Sequence, residues 1–200
     1  IERARAAGIS EFCIVVGYRA ETIEDHFGGG AKFDVRTTFI RQMKQDGTAS
    51  AVHLARSFAA GEPFLMTFGD ILTSDANTAK LVADYHAASP AAMLGLTWVD
   101  DPYKAAAVYL DSKGSITRMI EKPPKGASTT NWALAGVNIL GPKTFEYTGA
   151  LPLSPRGEYE LPDAFQAMIG DGLTVGGFQL EGAWRDVGTP EDVAAVNEGV

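Results

Sequence analysis

Two short apolar runs, "EFCIVVGY" (11–18) and "PFLMTFGD" (63–70), and the alternating segment "KFDVRTTFIRQ" (32–42) between them, are each followed by a segment with helical spacing. Those segments are "AETIEDHFGGG" (20–30), "TASAVHLARSFAA" (48–60) and "ANTAKLVADYHAAS" (76–89). A strand that feeds a helix and then another strand returns to the same sheet by a crossover. The rhythm therefore predicts a mainly parallel sheet with helices on both faces. The opening "IERARAAGIS" reads as the inside or end of a helix closed by Gly8.

The second half is richer in strands. "AAMLGLTWV" (91–99), "AAAVYLD" (105–111) and "ITRMIEK" (116–122) surround a hairpin turn expected at 111–114, and "WALAGVNIL" (132–140) is a further apolar strand. A helix over "LPDAFQAMIG" (161–170), a strand over "LTVGGFQL" (173–180) and a last helix capped by Thr189, with Pro190 at its first position, complete the pattern. No repeat or internal boundary is visible, so the 200 residues read as one α/β domain carrying a hairpin insertion.

The formal net charge of −8 argues against nucleic acid or an anionic membrane as the main partner, though not against a local basic pocket for one phosphate compound. No apolar run reaches the roughly 20 residues that cross a bilayer. The lone Cys13 can form no internal disulfide, which fits a reducing cytoplasm. With one cysteine and three scattered histidines, metal chemistry would have to rest on carboxylates and a hard cation such as magnesium.

The stretch "FLMTFGDILTS" (64–74) ends its apolar run at Gly69 and Asp70. These residues form an ordinary turn or set a carboxylate at the mouth of the sheet, where open α/β folds bind ligands. "WRDVGTPED" (184–192) places Asp186 in a comparable setting, either as a site carboxylate or as a residue at a helix entry. Gly28, Gly29 and Gly30 lack the lysine and hydroxyl residue of a phosphate loop and read as a helix stop. Asp100, Asp101 and Pro102 read as a turn, and the tryptophans as core or pocket wall.

Taken in order, "AAGISEFCIVVGY", "RQMKQDGTASAV", "FLMTFGD", "IEKP", "LAGVNIL", "RGEYELPDA" and "WRDVGTPED" resemble the sugar-1-phosphate nucleotidylyltransferases. That family makes nucleoside-diphospho-sugars from a nucleoside triphosphate and a sugar 1-phosphate. The resemblance implies a Rossmann-like nucleotide-diphospho-sugar transferase fold of the α/β class, with a mixed, mostly parallel central sheet and helices on both faces. It implies a magnesium site on Asp70 and Asp186, where a divalent cation offsets the repulsion of gathered phosphates. Glu121 and Lys122 correspond to a pair for the sugar hydroxyls and the sugar phosphate. Gln42, Gly47 and Thr48 correspond to the loop that reads the nucleobase, with Gly47 allowing close approach and Thr48 also able to cap the next helix. Gly69 joins the substrate-binding set. Gly136 corresponds to a strand glycine beneath the sugar and Glu158 to a carboxylate facing it, with Glu160 as its competitor and local packing as the alternative for Gly136.

The chain departs from the family pattern in two places. The Gly-rich loop that wraps the triphosphate, together with its strand, precedes in the family the helix on which this chain opens, so the single domain 1–200 is expected to lack both. Ala106 also stands where many members carry glycine. The implied partners are an NTP and a sugar 1-phosphate, with homo-oligomerisation open. Two other readings also stand: a nucleotide-sugar-dependent glycosyltransferase, and a non-catalytic sensor or regulatory relative.

Overall fold

A computed structural model describes residues 1–198. The first half follows the predicted alternation: α1 (Glu2–Ala6), β1 (Glu11–Val16), α2 (Ala20–Phe27), β2 (Arg36–Arg41), α3 (Thr48–Leu54), α4 (Arg56–Ala59), β3 (Phe64–Thr67), β4 (Ile71–Thr73) and α5 (Asp75–Ala88). The second half contains β5 (Ala92–Trp98), β6 (Ala106–Leu110), β7 (Ile116–Glu121), β8 (Trp132–Leu140), α6 (Thr144–Thr148), α7 (Leu161–Gly170), β9 (Val175–Gln179), β10 (Trp184–Asp186) and α8 (Pro190–Asn197).

The central sheet has the order β7-β6-β8-β5-β9, with β3 also paired to β8. β5 takes one edge of β8 along its length. The other edge is shared: β3 pairs with residues 137–140, and β6 meets Ala133. β3, β5 and β9 run in one direction, as the alternation implies, and the sheet is mixed as expected. It is not mostly parallel, however. β8 runs antiparallel between β3 and β5, β6 and β7 form an antiparallel hairpin, and among the described residues only β1 with β2 and β5 with β9 are parallel pairs. The cause is the hairpin insertion: β8 is reached through a loop rather than a crossover helix, and an antiparallel return needs no such helix. Asp111 Oδ1 accepts from the N–H groups of Lys113 and Ser115, closing the hairpin where the sequence placed its turn.

Residues of β5 alternate between the two sheet faces. Ala92, Leu94 and Leu96 join α3, α6 and α7 in a core around Phe145, Leu161, Phe165 and Met168. Met93 faces the other way, against Leu81 and Tyr85 of α5, Val137 and Ile139 of β8, and Phe178. Helices therefore cover both faces. The core includes the fully buried Phe165, Leu94, Leu96, Leu140 and Met168; each side chain of this kind contributes about 1.5–3 kcal/mol on burial.

Sequence periodicity did not reveal α6, and the run 63–70 is not one strand: it breaks after Thr67, and the chain restarts as β4 in a separate two-stranded sheet with β10. The last helix begins as expected. Thr189 accepts from the Asp192 N–H, and the Asp192 carboxylate accepts from the Thr189 N–H, a reciprocal cap ahead of Pro190. Among the described residues no helix is long and apolar enough to cross a membrane.

Among the described residues, β1 and β3 each leave one edge without a strand partner: β1 pairs only with β2, and β3 pairs only with β8. Phe12, Cys13, Ile14 and Val15 of β1 and Phe64, Leu65 and Met66 of β3 all remain partly exposed, although their composition is that of buried strands.

Candidate active site

The antiparallel pairing of β10 with β4 sets Asp186 opposite Ile71, and the Val187 N–H donates to the Asp70 carbonyl at 2.8 Å. Two aspartates more than a hundred residues apart in sequence thus become neighbours. Partial desolvation pushes the Asp186 carboxyl above its ordinary range, and the nearby negative charges of Asp70 and Asp192 push it further. Both aspartates are exposed. Asp70 lies in a turn between two strands, while Asp186 is the last residue of β10. Gly69 precedes Asp70 with open space around it.

This pair rests on β8. The Phe68 N–H donates to the Gly136 carbonyl at 3.0 Å, and Trp184 Nε1 donates to the Ala135 carbonyl at 2.9 Å. Gly136 has φ +76°, and a Cβ there would lie 2.6 Å from the Phe68 ring. The close neighbour that excludes a side chain at Gly136 is thus Phe68, which leads into Asp70.

Glu121 ends β7 opposite Ala106. Since β6 and β3 share an edge of β8, the Gly69 and Asp70 turn leaves β3 toward the start of β6, one strand away from Glu121 and Lys122. Lys122 is exposed and makes no ion pair among the described residues. Its φ of +40° is left-handed, a conformation that costs a non-glycine residue roughly 1–2 kcal/mol and recurs at ligand-binding positions.

Sequence reasoning missed Arg156, although it lies within the quoted "RGEYELPDA". Its guanidinium stands 3.3 Å from Glu121, 3.4 Å from Glu160 and 3.9 Å from Glu158. Glu160 is the most buried of the three carboxylates and also accepts from Ser154 Oγ. Glu158 is half-exposed. Burial raises the Glu121 carboxyl above its ordinary range, and the charges of Glu160 and Asp163 add to this, against the opposing pull of Lys122 and Arg156.

A raised folded-state pKa means that the folded protein binds more protons than the unfolded chain in the window between the two pKa values. Stability is then fully present below the unfolded value and declines as pH rises through the folded one. Glu121→Gln removes this charge while leaving Glu158 and Glu160 beside Arg156. It is expected to raise Tm by a few degrees at pH 7, with the gain shrinking as pH falls through the raised pKa. Calorimetric melting across that range is the check, and a destabilised variant at pH 7 would contradict the assignment.

Gln42 follows β2, with its N–H donating to the Val16 carbonyl at 2.8 Å. Its side-chain Nε2 donates to Ser50 Oγ and to the Gly47 carbonyl. Gly47 has φ +125°, and a Cβ there would meet the backbone of Tyr159 at 2.3 Å. The close approach made by this glycine is therefore to the protein's own chain. Thr48 is not the cap of α3. Gly47 holds that position, and the Thr48 hydroxyl accepts from the Leu161 N–H at 3.0 Å. The Tyr159 N–H donates to the Asp46 carbonyl, and the Tyr159 carbonyl accepts from the Ala49 N–H. Residues 158–161 thus join the loop around Gly47 to the Glu121, Arg156 and Glu160 cluster.

The family model described as nucleotidyl transferase matches residues 1–200. The chain is 32% identical over 199 residues to the low-salt glycan biosynthesis nucleotidyltransferase Agl11 of Haloferax volcanii, covering 99% of this chain and 55% of the relative. It is 34% identical over 197 residues to a glucose-1-phosphate thymidylyltransferase of Streptomyces griseus, covering 98% and 55%. The chain thus spans about half the length of the curated relatives it matches. Among solved structures, a Bacillus anthracis protein described as a glucose-1-phosphate thymidylyltransferase in complex with sucrose superposes with a TM-score of 0.87 at 25% identity, covering 98% of this chain and 78% of that one. A UDP-glucose pyrophosphorylase complexed with UDP-glucose shares the fold, with a TM-score of 0.87 at 20% identity and coverage of 99% and 83%. The family model spans the entire chain and both curated relatives exceed 30% identity, so the chain belongs to the nucleotidyl transferase family, as its resemblance to the sugar-1-phosphate nucleotidylyltransferases implied.

Proposed function

We propose that the protein containing this chain transfers a nucleotidyl group from an NTP to a sugar 1-phosphate. The observation that carries the reading is the β4 and β10 pairing, which brings Asp70 beside Asp186 near the strand end that bears Glu121 and Lys122. An oxygen of the sugar phosphate forms a bond to the α-phosphorus of the NTP, the α–β bridging bond breaks, and pyrophosphate leaves. The attacking phosphate is already anionic near neutral pH, so no general base is needed. Lys122 is a compact positive charge for the sugar phosphate, and Arg156, drawn from its carboxylates, is a second, forked one. Glu121 and Glu158 accept from sugar hydroxyls. The loop of Gln42, Gly47 and Thr48 holds the base, and Gly69 gives the nucleotide room beside Asp70.

Asp70 and Asp186 are the residues that would hold magnesium. Their donors are hard oxygens, their charges repel one another, and Mg²⁺ takes one or two protein carboxylates while leaving its other positions to water and phosphates. When bound there, the ion would offset the gathered phosphate charge and polarise the attacked phosphoryl group.

We further propose that in the complete protein a strand lies against the partnerless edges of β1 and β3 and carries the Gly-rich triphosphate loop that the family resemblance implies. The half-exposed apolar side chains of both strands support this, since buried-type strands left open are a liability that proteins normally cover. The complete gene product, supplied with an NTP, magnesium and glucose 1-phosphate, is expected to release pyrophosphate, and residues 1–200 alone are expected to release little or none. A complete protein that consumes nucleotide-sugar without forming pyrophosphate would be a glycosyltransferase. One that binds nucleotide-sugar and turns over nothing would be a sensor. Either result would overturn the proposal.

A further inference from the structure

The Gln42 amide has two chemically different ends, and its surroundings specify which end faces inward. Nε2 lies 2.8 Å from Ser50 Oγ and 3.1 Å from the Gly47 carbonyl. Ser50 Oγ lies 2.5 Å from Asp46 Oδ1. An ionised carboxylate can only accept, so the one hydroxyl proton of Ser50 goes to Asp46. Toward Gln42, Ser50 then offers a lone pair. The Gly47 carbonyl is also an acceptor. Both neighbours call for the NH₂ end, and turning the amide over would set Oε1 against two acceptors. Asp46 stays ionised because the Ser50 hydrogen bond holds its carboxyl below the ordinary range, with Lys44 Nζ 3.6 Å from Oδ2.

The two Nε2 hydrogens are thereby committed, and Oε1 is what the side chain has left for a ligand. We infer that Asp46 and Ser50 are positioning residues that lock the Gln42 amide with its oxygen outward, so that among pyrimidine nucleotides the site selects those with an N–H donor at N3. Uracil and thymine carry that donor. Cytosine presents an unprotonated N3, which would face Oε1 lone pair against lone pair. The inference rests on the proposed role of Gln42 in reading the base.

Two independent readouts on the complete protein test it: calorimetric affinities for UTP, TTP and CTP, and pyrophosphate release with each. UTP and TTP are expected to bind about a hundredfold more tightly than CTP. In Ser50→Ala the amide is free to turn, and the ratio is expected to fall about tenfold. Ser50→Thr, which restores the hydroxyl, is expected to restore the ratio. If Ser50→Ala does not fold, Asp46→Asn serves instead: its amide can donate to Ser50, which frees the hydroxyl proton for Gln42 Oε1, and the ratio is again expected to fall.

A merely structural role for Ser50 would weaken all three nucleotides together and leave the ratio unchanged, which would overturn the inference. Equal affinity of the wild-type protein for UTP and CTP would also overturn it, while continued pyrophosphate release would leave the proposed reaction standing. Conversely, a preserved affinity ratio without pyrophosphate would count against the reaction and support the amide lock.

Discussion

An Asp186→Ala variant of the complete protein is expected to turn over about a hundred- to a thousandfold more slowly than wild type, while melting at the same temperature or higher. The loss follows from the role proposed for Asp186. A carboxylate that helps hold a divalent ion contributes several kcal/mol of charge stabilisation to phosphoryl chemistry, and each 1.36 kcal/mol is a factor of ten in rate. The preserved stability follows from its surroundings. Asp186 is exposed at the end of a three-residue strand, and among the described residues its carboxylate accepts no hydrogen bond. Its carboxyl is disfavoured in the ionised form by partial desolvation and by Asp70, so removing it relieves repulsion. Initial rates at saturating magnesium, with a melting curve on the same sample, provide the check. Turnover within a few-fold of wild type would remove Asp186 from the site, and a collapse in Tm would make its role structural.

Gly47→Ala is expected to damage the fold around the proposed nucleotide loop as severely, by a different route. The added methyl would lie 2.3 Å from the Tyr159 carbonyl oxygen and 2.6 Å from the Tyr159 nitrogen, at a φ of +125° that an L side chain rarely adopts. The obstructing atoms are backbone, so no rotamer change relieves the contact. Strain of this type costs about 1–3 kcal/mol, and separating the two segments would also endanger the Tyr159 hydrogen bonds to residues 46 and 49. A total of about 3 kcal/mol or more is expected, measurable as a fall in the denaturant midpoint together with weaker NTP affinity. Near wild-type stability would mean that the loop can leave Tyr159 without consequence, and Gln42 would then have no fixed platform.

The layered α/β arrangement was legible in the sequence because buried strands and amphipathic helices leave different periods in the chain. The direction of β8 was not, since an apolar strand reads alike in both senses and only the route back to the sheet decides its pairing. The break at residues 68–70 was hidden by the continuous apolar character of 63–68, while the turn itself was visible in Gly69 and Asp70. Candidate site residues stood out where a motif marked them, as with Asp70, Glu121, Lys122 and Asp186. Arg156 and Ser50 were not singled out because their importance lies in partners 35 residues and 8 residues away, and a single sequence records no such contacts. Thr48 and Gly47 show the opposite case. Both were marked by motif, but their observed partners are the backbone groups of Leu161 and Tyr159.

Tyr159 is bonded through both its amide and its carbonyl to residues 46 and 49, and Arg156 and Glu160 on the same short stretch stand beside Glu121. One piece of main chain therefore ties the loop around Gly47 to the Glu121 cluster, and a shift imposed on one must be absorbed or passed on by the other. Under the proposed reaction any energetic crosstalk carried by this shared stretch has to be symmetrical: the factor by which a bound nucleotide would alter the grip on a sugar phosphate is the factor by which the sugar phosphate would alter the grip on the nucleotide.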